Sequence, residues 1–376
     1  MPPSELNLSH SRCFLSRYMF LTIYFLVLGQ TDAEKTLKFV VLVFRHGDRS
    51  PTMTYPNDKY QEHSWPDGFG QLTQLGIEQH YELGKYLRKR YSGFLNETYS
   101  RHELISMPFQ NCPLYNKLQT ETYASKEYHD LVDPYKDFIN SLQNDTGYSY
   151  EELNYIYNLW ITYDALLCEQ IHNYTLPDWA TEDVMDKLSL LSDIFMSTMF
   201  GVYKQHEKSR LQGGVLVSSI LKNITHAATT PSINLKLIMY SAHDTTIVAL
   251  QMALNVYNGK TPPYAACHIF ELYTEDNGEY TVEMYYQNDS LVDPYLVTLP
   301  GCSSSCPLAK FTELTSSIIA EDWEKECEAE VEEDKISGTV FGLIIAVVIL
   351  SVAFLGLLIL HCCWRKKSKN YKLVGL

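Results

Sequence analysis

Apolar and polar positions are arranged in three ways along this chain, and each predicts a different kind of element. Leu37 to Phe44 is apolar apart from Lys38, rich in β-branched and aromatic residues, and too short to cross a bilayer. It reads as a buried parallel strand, and Leu235 to Ser241 reads as a second apolar strand. Ile269–Tyr273 and Tyr280–Tyr286 alternate with a period of two about Asn277-Gly278, a hairpin signal. Gly70–Tyr91 repeats at helical spacing instead, with Leu72, Leu75, His80, Leu83 and Leu87 near one face. Tyr115 to about Glu207 is tyrosine-rich and helix-like; within it Thr181 is placed to cap a helix that opens on Glu182 and Asp183. Leu211–Leu221 and Thr246–Tyr257 read as further helices, the second closed by Asn258-Gly259. Strands towards both ends with helices between them predict one α/β domain interrupted by a helical cap.

Two longer apolar stretches have a different meaning. Tyr18–Gly29 follows Arg12 and Arg17, is too short to span a membrane and has the flanks of a secretory signal, so residues 1–33 are expected to be cleaved after Ala33. Gly338–Leu360 gives 23 apolar or small residues without a charge, long enough to span with some tilt. Arg365, Lys366, Lys367, Lys369 and Lys372 follow it, and the stretch before it, residues 328–337, is acidic. The positive-inside rule then predicts a type I protein with a cytosolic tail over 361–376. Tyr371 with Val374 three residues on fits an endocytic adaptor signal, and Cys362 and Cys363 fit palmitoylation. Asn96, Asn144, Asn173, Asn223 and Asn288 head five glycosylation sequons in the luminal part. The compartment expected is the secretory pathway, ending at the plasma membrane or the endosome and lysosome.

A formal charge of −15 argues against nucleic acid as a partner. Against that background one junction stands out. Arg45-His46-Gly47-Asp48-Arg49-Ser50-Pro51 follows directly on the first strand, and open α/β sheets place their ligands at strand C-termini. The planar fork of arginine matches phosphate oxygens two at a time, and the histidine between the two arginines is a candidate nucleophile. The second apolar strand likewise ends in His243-Asp244. An aspartate after a strand is also a common helix cap, which is the competing reading of that pair. His268 beside Cys267 reads as a structural histidine rather than a ligand.

From these residues the chain resembles the histidine acid phosphatases. The similarity is carried by Arg45–Pro51, by Trp65–Gly76 continuing to Arg88-Lys89-Arg90-Tyr91, and by Lys236–Thr246, and it runs from about Leu37 to Cys327. It implies a three-layer α/β/α fold of the phosphoglycerate-mutase type with a helical cap. The divisions are then residues 34–109 and 209–327 for the α/β part and 110–208 for the cap. It implies His46 as nucleophile, Asp244 as general acid, and Arg45, Arg49 and His243 as ligands of the phosphate oxygens, with no cofactor or metal. Small phosphate esters are the implied substrates, nucleoside monophosphates, lysophosphatidate and phosphotyrosine among them, and a homodimer is the implied assembly. Six cysteines lie between signal and anchor, and their number in a secretory context suggests three disulfides out of fifteen pairings. The resemblance selects Cys112–Cys327, Cys168–Cys267 and Cys302–Cys306. A zinc site at Cys302-x-x-x-Cys306 has no nearby histidine to complete it.

One piece of the family pattern is missing. After the Arg90-Tyr91 helix end, family members carry a strand leading into Arg-x-x-Asp-x-x-Arg-Thr, whose first arginine is a further phosphate ligand. Here Arg101-His102-Glu103 runs straight into Leu104–Cys112, and Arg210 alone of the arginines lies between Arg101 and the apolar anchor, within a helical pattern. The join resembles an internal deletion near 103–107. A glycosylated type I protein without catalysis is therefore the alternative to an active phosphatase.

Overall fold

The computed structural model describes residues 35–95, 112–230, 235–289, 292–328, 346–347 and 349–361. The signal segment, Asn96, the join at 103–107 and the tail with Cys362, Cys363, Tyr371 and Val374 lie outside the described residues. Two compact units are present, Met1–Glu328 and Ala329–Leu376. In the second, residues 349–361 are helical and expose their apolar side chains. Among the described residues no helix is long and apolar enough to cross a membrane; the expected span at 338–360 lies largely outside them.

The first unit is built on a mixed sheet of six strands: β1 (Thr36–Arg45), β2 (Leu237–Ala242), β3 (Cys267–Thr274), β4 (Tyr280–Gln287), β5 (Tyr295–Val297) and β6 (Cys306–Pro307). The path runs β2-β1-β3-β4-β5, with β6 paired to β4. β1 and β2 are parallel, with Arg45 opposite Ala242, and β3 runs antiparallel to β1. β3 and β4 form the expected hairpin, and Gly278 takes the left-handed backbone (φ 83°) that its turn requires.

The longer helices around the sheet and the loops at its ends include α1 (Gln74–Arg90), α2 (Pro113–Tyr123), α3 (Tyr157–Ile171), α4 (Glu182–Phe200), α5 (Gly213–Thr229) and α6 (Asp244–Ala253). Alternate residues of β1 face opposite ways. Val40 and Leu42 pack with Leu83, Leu87 and Tyr91 of the α1 region. Val41 and Val43 pack with Val217, Ile220 and Ile224 of α5 and Ile247 and Leu250 of α6. The helices between 113 and 200 form a further cluster around Leu153, Leu159, Leu166, Leu188 and Leu191. The Thr181 side chain accepts the Val184 N–H, as its position before an acidic turn predicts.

α1 differs from its expected face. Thr73 caps it, so Leu72 falls outside the helix, bridged to Arg49, and Leu72 and Leu75 are exposed. The buried stripe is Gly76, Leu83 and Leu87. The reason is close backbone contact: a Cβ at Gly76 would lie 2.1 Å from the Asp48 carbonyl oxygen, and one at Gly47 would lie 2.2 Å from that of Gly76. Gly76→Ala is expected to destabilise the fold by roughly 3 kcal/mol through overpacking that no side chain can relieve, measured as a shift in denaturation midpoint. α6 ends at Ala253, four residues before its expected end, with Asn255 at positive φ. The expected helix from Leu211 is broken at Gln212 into Gln205–Leu211 and α5.

Cys112–Cys327 and Cys302–Cys306 are bonded. The third expected bridge is not: Cys168 and Cys267 are buried free thiols. They belong to different packing groups. Cys267 opens β3 among Leu83, Leu87 and Ile269, whereas Cys168 of α3 turns its sulfur to the Arg49 carbonyl (3.4 Å) and the Tyr264 hydroxyl (3.7 Å). Among the sequon asparagines, Asn144, Asn173 and Asn288 are exposed. Asn223 is half-buried, its amide donating to the Tyr240 hydroxyl.

Candidate active site

The Arg45–Arg49 loop is fixed at the C-terminal end of the parallel pair. The Arg45 N–H donates to Ala266, the His46 N–H donates to Ala242, and the His46 carbonyl accepts from Ala265. β2 ends on the neighbouring side, so His243 and Asp244 arrive beside this loop. The His46 and His243 rings meet edge to face, 5.4 Å between centroids. Asp244 begins α6 and accepts the Thr245 N–H at 2.6 Å. The N-cap is His243 rather than Asp244, which is the first helical residue and so lies in the site and in the first turn at once.

His46 Nδ1 lies 2.8 Å from the Gly47 carbonyl oxygen. That partner can only accept, so Nδ1 carries the proton and Nε2 keeps its lone pair. Burial is the main cause that lowers the His46 pKa to about 4; the Gly47 hydrogen bond opposes it, and Arg45 and Arg49 reinforce it.

Both arginines are buried and ion-paired. Arg45 Nη2 contacts Asp244 Oδ2 at 2.8 Å, Nη1 donates to the Pro262 carbonyl at 2.6 Å, and the guanidinium lies 4.2 Å from the Tyr264 ring centroid. Its Nε is buried without an acceptor. Burial disfavours the Asp244 carboxylate, but Arg45 and the Thr245 N–H hold its pKa below the usual carboxylate range. Arg49 makes two parallel bonds to Asp164, at 2.9 and 3.2 Å, and donates to the Ser50 carbonyl. Two cations and two carboxylates thus face one another with a nucleophilic ring nitrogen nearby.

Asp164 and His172 were not singled out from the sequence, and Cys168 only as a partner for Cys267, although their spacing of four and four puts them on one face of a helix. On α3 and the residue that ends it, they meet Arg49, the Arg49 carbonyl and Asp48 in turn. His172 Nε2 lies 2.8 Å from the Asp48 carboxylate, which is fully buried and also accepts from the Thr73 hydroxyl. Tyr264, in a loop after Pro262-Pro263, gave no sequence signal. His268 is a core residue: burial lowers its pKa to about 3, and its ring packs 4.8 Å from that of Phe270. Arg210 pairs with Glu326, far along the chain from the site residues. Among the described residues no cluster of ligands could hold a metal.

The family model for the histidine phosphatase superfamily (branch 2) matches residues 36–107 and 101–287. A prostatic acid phosphatase of Bos taurus is 49% identical over 344 positions, covering 78% of this chain and 88% of the relative. A lysosomal acid phosphatase of Xenopus laevis is 44% identical over 396 positions, covering 91% of this chain and 90% of the relative. In the bovine comparison 78% of 376 residues is about 290, so about fifty of the 344 aligned positions have no counterpart here. The two family matches meet at 101–107, where the sequence places the missing segment. Among solved structures, a Hafnia Alvei phytase in complex with tartrate shares the fold at 14% identity, with a TM-score of 0.58 over 78% of this chain and 99% of the phytase. Motif, mixed sheet and close relatives agree, and the chain belongs to the histidine phosphatase superfamily, branch 2.

Proposed function

We propose that this chain hydrolyses phosphate monoesters at acidic pH through a phosphohistidine on His46. The observation that carries the reading is the buried Arg45 Nε without an acceptor beside a histidine whose free lone pair is on Nε2. A phosphate oxygen is the acceptor that this N–H lacks. In the reaction His46 Nε2 forms a bond to phosphorus while the ester P–O bond breaks. Arg45, Arg49 and His243 bind the three non-bridging oxygens and offset their charge during transfer. Asp244 gives its proton to the leaving alkoxide, and water then cleaves the N–P bond.

Asp244 is held ionised by Arg45 in the free site. An incoming dianion takes over Arg45 and adds negative charge, and both changes raise the carboxyl pKa. Protonation of Asp244 is then favoured on the acid side of neutrality, while His46 stays neutral down to about pH 4. Nucleoside monophosphates, lysophosphatidate and phosphotyrosine are the substrate candidates. A three-layer fold with a helical cap, a cleaved signal, a span at 338–360, glycans on exposed sequons and a luminal or extracellular site in the secretory and lysosomal route complete the reading. The full-length chain in detergent should hydrolyse p-nitrophenyl phosphate at pH 5, and 32P from a labelled ester should be trapped on protein quenched by denaturation in alkali, where the N–P bond survives. No turnover and no trapped label from folded protein would favour the non-catalytic alternative.

Asp164 supplies a second check. Asp164→Asn leaves Arg49 buried without its counter-charge, a loss of roughly 3 kcal/mol in stability. Inorganic phosphate can replace that charge, so the rise in melting temperature on adding it should be larger in the variant than in the parent. Equal rises would separate Arg49 from phosphate binding.

A further inference from the structure

The segment Pro262-Pro263-Tyr264-Ala265-Ala266 carries no charge, yet it grips the arginine loop at several points. The Pro262 carbonyl accepts from Arg45 Nη1 at 2.6 Å. The Ala266 carbonyl accepts the Arg45 N–H at 2.9 Å, and the Ala265 N–H donates to the His46 carbonyl at 3.0 Å. Tyr264 sits among these contacts. Its ring centroid lies 4.2 Å from the guanidinium carbon of Arg45 and 5.8 Å from the centroid of the His46 ring.

The segment has little freedom of its own. Thr261, just before it, gives its N–H and its hydroxyl to Asp193 of α4, at 2.8 and 2.9 Å. Two consecutive prolines then fix φ, and β3 begins directly after Ala266. Ala265 takes a left-handed backbone (φ 58°), which residues other than glycine rarely adopt. Such strain persists where the surroundings enforce it; here the enforcing bonds run to His46 and to Arg45.

Arg45 needs a neighbour of this kind. Among the described residues Pro262 holds its Nη1 and Asp244 its Nη2, while its Nε is buried without an acceptor. Two contacts within the guanidinium plane leave that plane one tilt, about the line through them, and the Nε–H swings with it. An aromatic ring against the face opposes the tilt, because the flat cation is attracted to the ring and stacks on it. Burial raises the Tyr264 pKa, so the ring meets the arginine as a neutral phenol. The restraint matters most with phosphate bound. A dianion that draws Arg45 away from Asp244 leaves the Pro262 carbonyl and the Tyr264 ring to orient it.

On the phosphatase reading of the site, we propose that Tyr264 is a positioning residue for phosphate, its ring setting the plane of the Arg45 guanidinium so that the free Nε–H meets a phosphate oxygen. It acts through Arg45 and takes no part in bond making. Its hydroxyl, 3.7 Å from the Cys168 sulfur, is dispensable to this role.

The test compares Tyr264→Phe and Tyr264→Leu with the parent, each as the full-length chain in detergent. Tyr264 is partly exposed, so both variants should fold. Titration calorimetry with inorganic phosphate reads binding without turnover. Phenylalanine keeps the aromatic face, and its Kd for phosphate should stay within about twofold of the parent's. Leucine loses the face, and its Kd should rise about tenfold, with kcat/KM for p-nitrophenyl phosphate falling by a similar factor. Equal affinities in the parent and Tyr264→Leu overturn the proposal, and a lower melting temperature beside them would reduce Tyr264 to packing. A loss in Tyr264→Phe as large as in Tyr264→Leu overturns it too, by assigning the effect to the hydroxyl. A parent that binds phosphate without hydrolysing the ester would fail the phosphatase reading alone, because the comparison of affinities needs no turnover.

Discussion

His46→Ala should lower phosphatase turnover by roughly six orders of magnitude, the scale seen when an enzymic nucleophile is removed. It should also abolish the alkali-stable, acid-labile capture of phosphate on the protein that a general-base or metal-water route would never show. The position is half-buried rather than part of the tight core, so the variant should fold and melt within a few degrees of the parent. The parent's kcat/KM should hold down to about pH 4, where the imidazole protonates, and fall below that. Substantial turnover in the alanine variant, or an acid limb near the ordinary histidine pKa, would reassign the nucleophile.

The second large effect concerns Glu169. Its carboxyl is 1% exposed, and neither oxygen has a hydrogen-bond donor. Burial first, and then the nearby Asp58 carboxylate, raise its pKa to about 8, with Lys59 opposing. Asp58 is itself held by the Thr54 hydroxyl and the Tyr60 N–H, and Tyr55 lies against the same pair. An unfolded glutamate titrates near 4.3, so the folded state keeps a proton that the unfolded state releases. The stabilisation is therefore complete below about pH 4.3 and is lost as pH rises towards 8, by about 1.4 kcal/mol per unit within that window. Glu169→Gln removes the titrating proton, so its unfolding free energy should depend much less on pH between 5 and 8. At pH 7.5 its melting temperature should exceed the parent's by on the order of 5 °C. Parallel stability curves for the two proteins would exclude Glu169 as the source. The pair joins α3 to the segment that follows the arginine loop.

Much of this was readable from residue order because local rules and the fold agree. β1 and β2 are apolar runs that end in charged, chemistry-bearing residues, and the Asn277-Gly278 turn selects its own hairpin. Asp164 and Glu169 were unreadable for the opposite reason. Acidic residues on a helix ordinarily face water, and burial here depends on partners more than a hundred positions away. The α1 stripe was misjudged at Leu72 and Leu75 because a backbone contact between two glycines outranks the apolar repeat. Cysteine count predicted three bridges where two form, because Cys168 and Cys267 are buried in different packing environments.

The Cys112–Cys327 bridge closes over 215 positions of sequence. At about 5–20 residues per second, a ribosome needs on the order of 10–40 s to make that span. Throughout that interval Cys112 is an unpartnered thiol in an oxidising lumen, while Cys168 and Cys267, which have no mates in the finished fold, emerge ahead of Cys327. The order of synthesis therefore offers four wrong partners before the right one, and of these Cys302 and Cys306 can pair with each other. Maturation of this protein should depend strongly on disulfide isomerase, and mixed bridges from Cys112 to Cys168 or Cys267 are the species expected to accumulate when that enzyme is limiting.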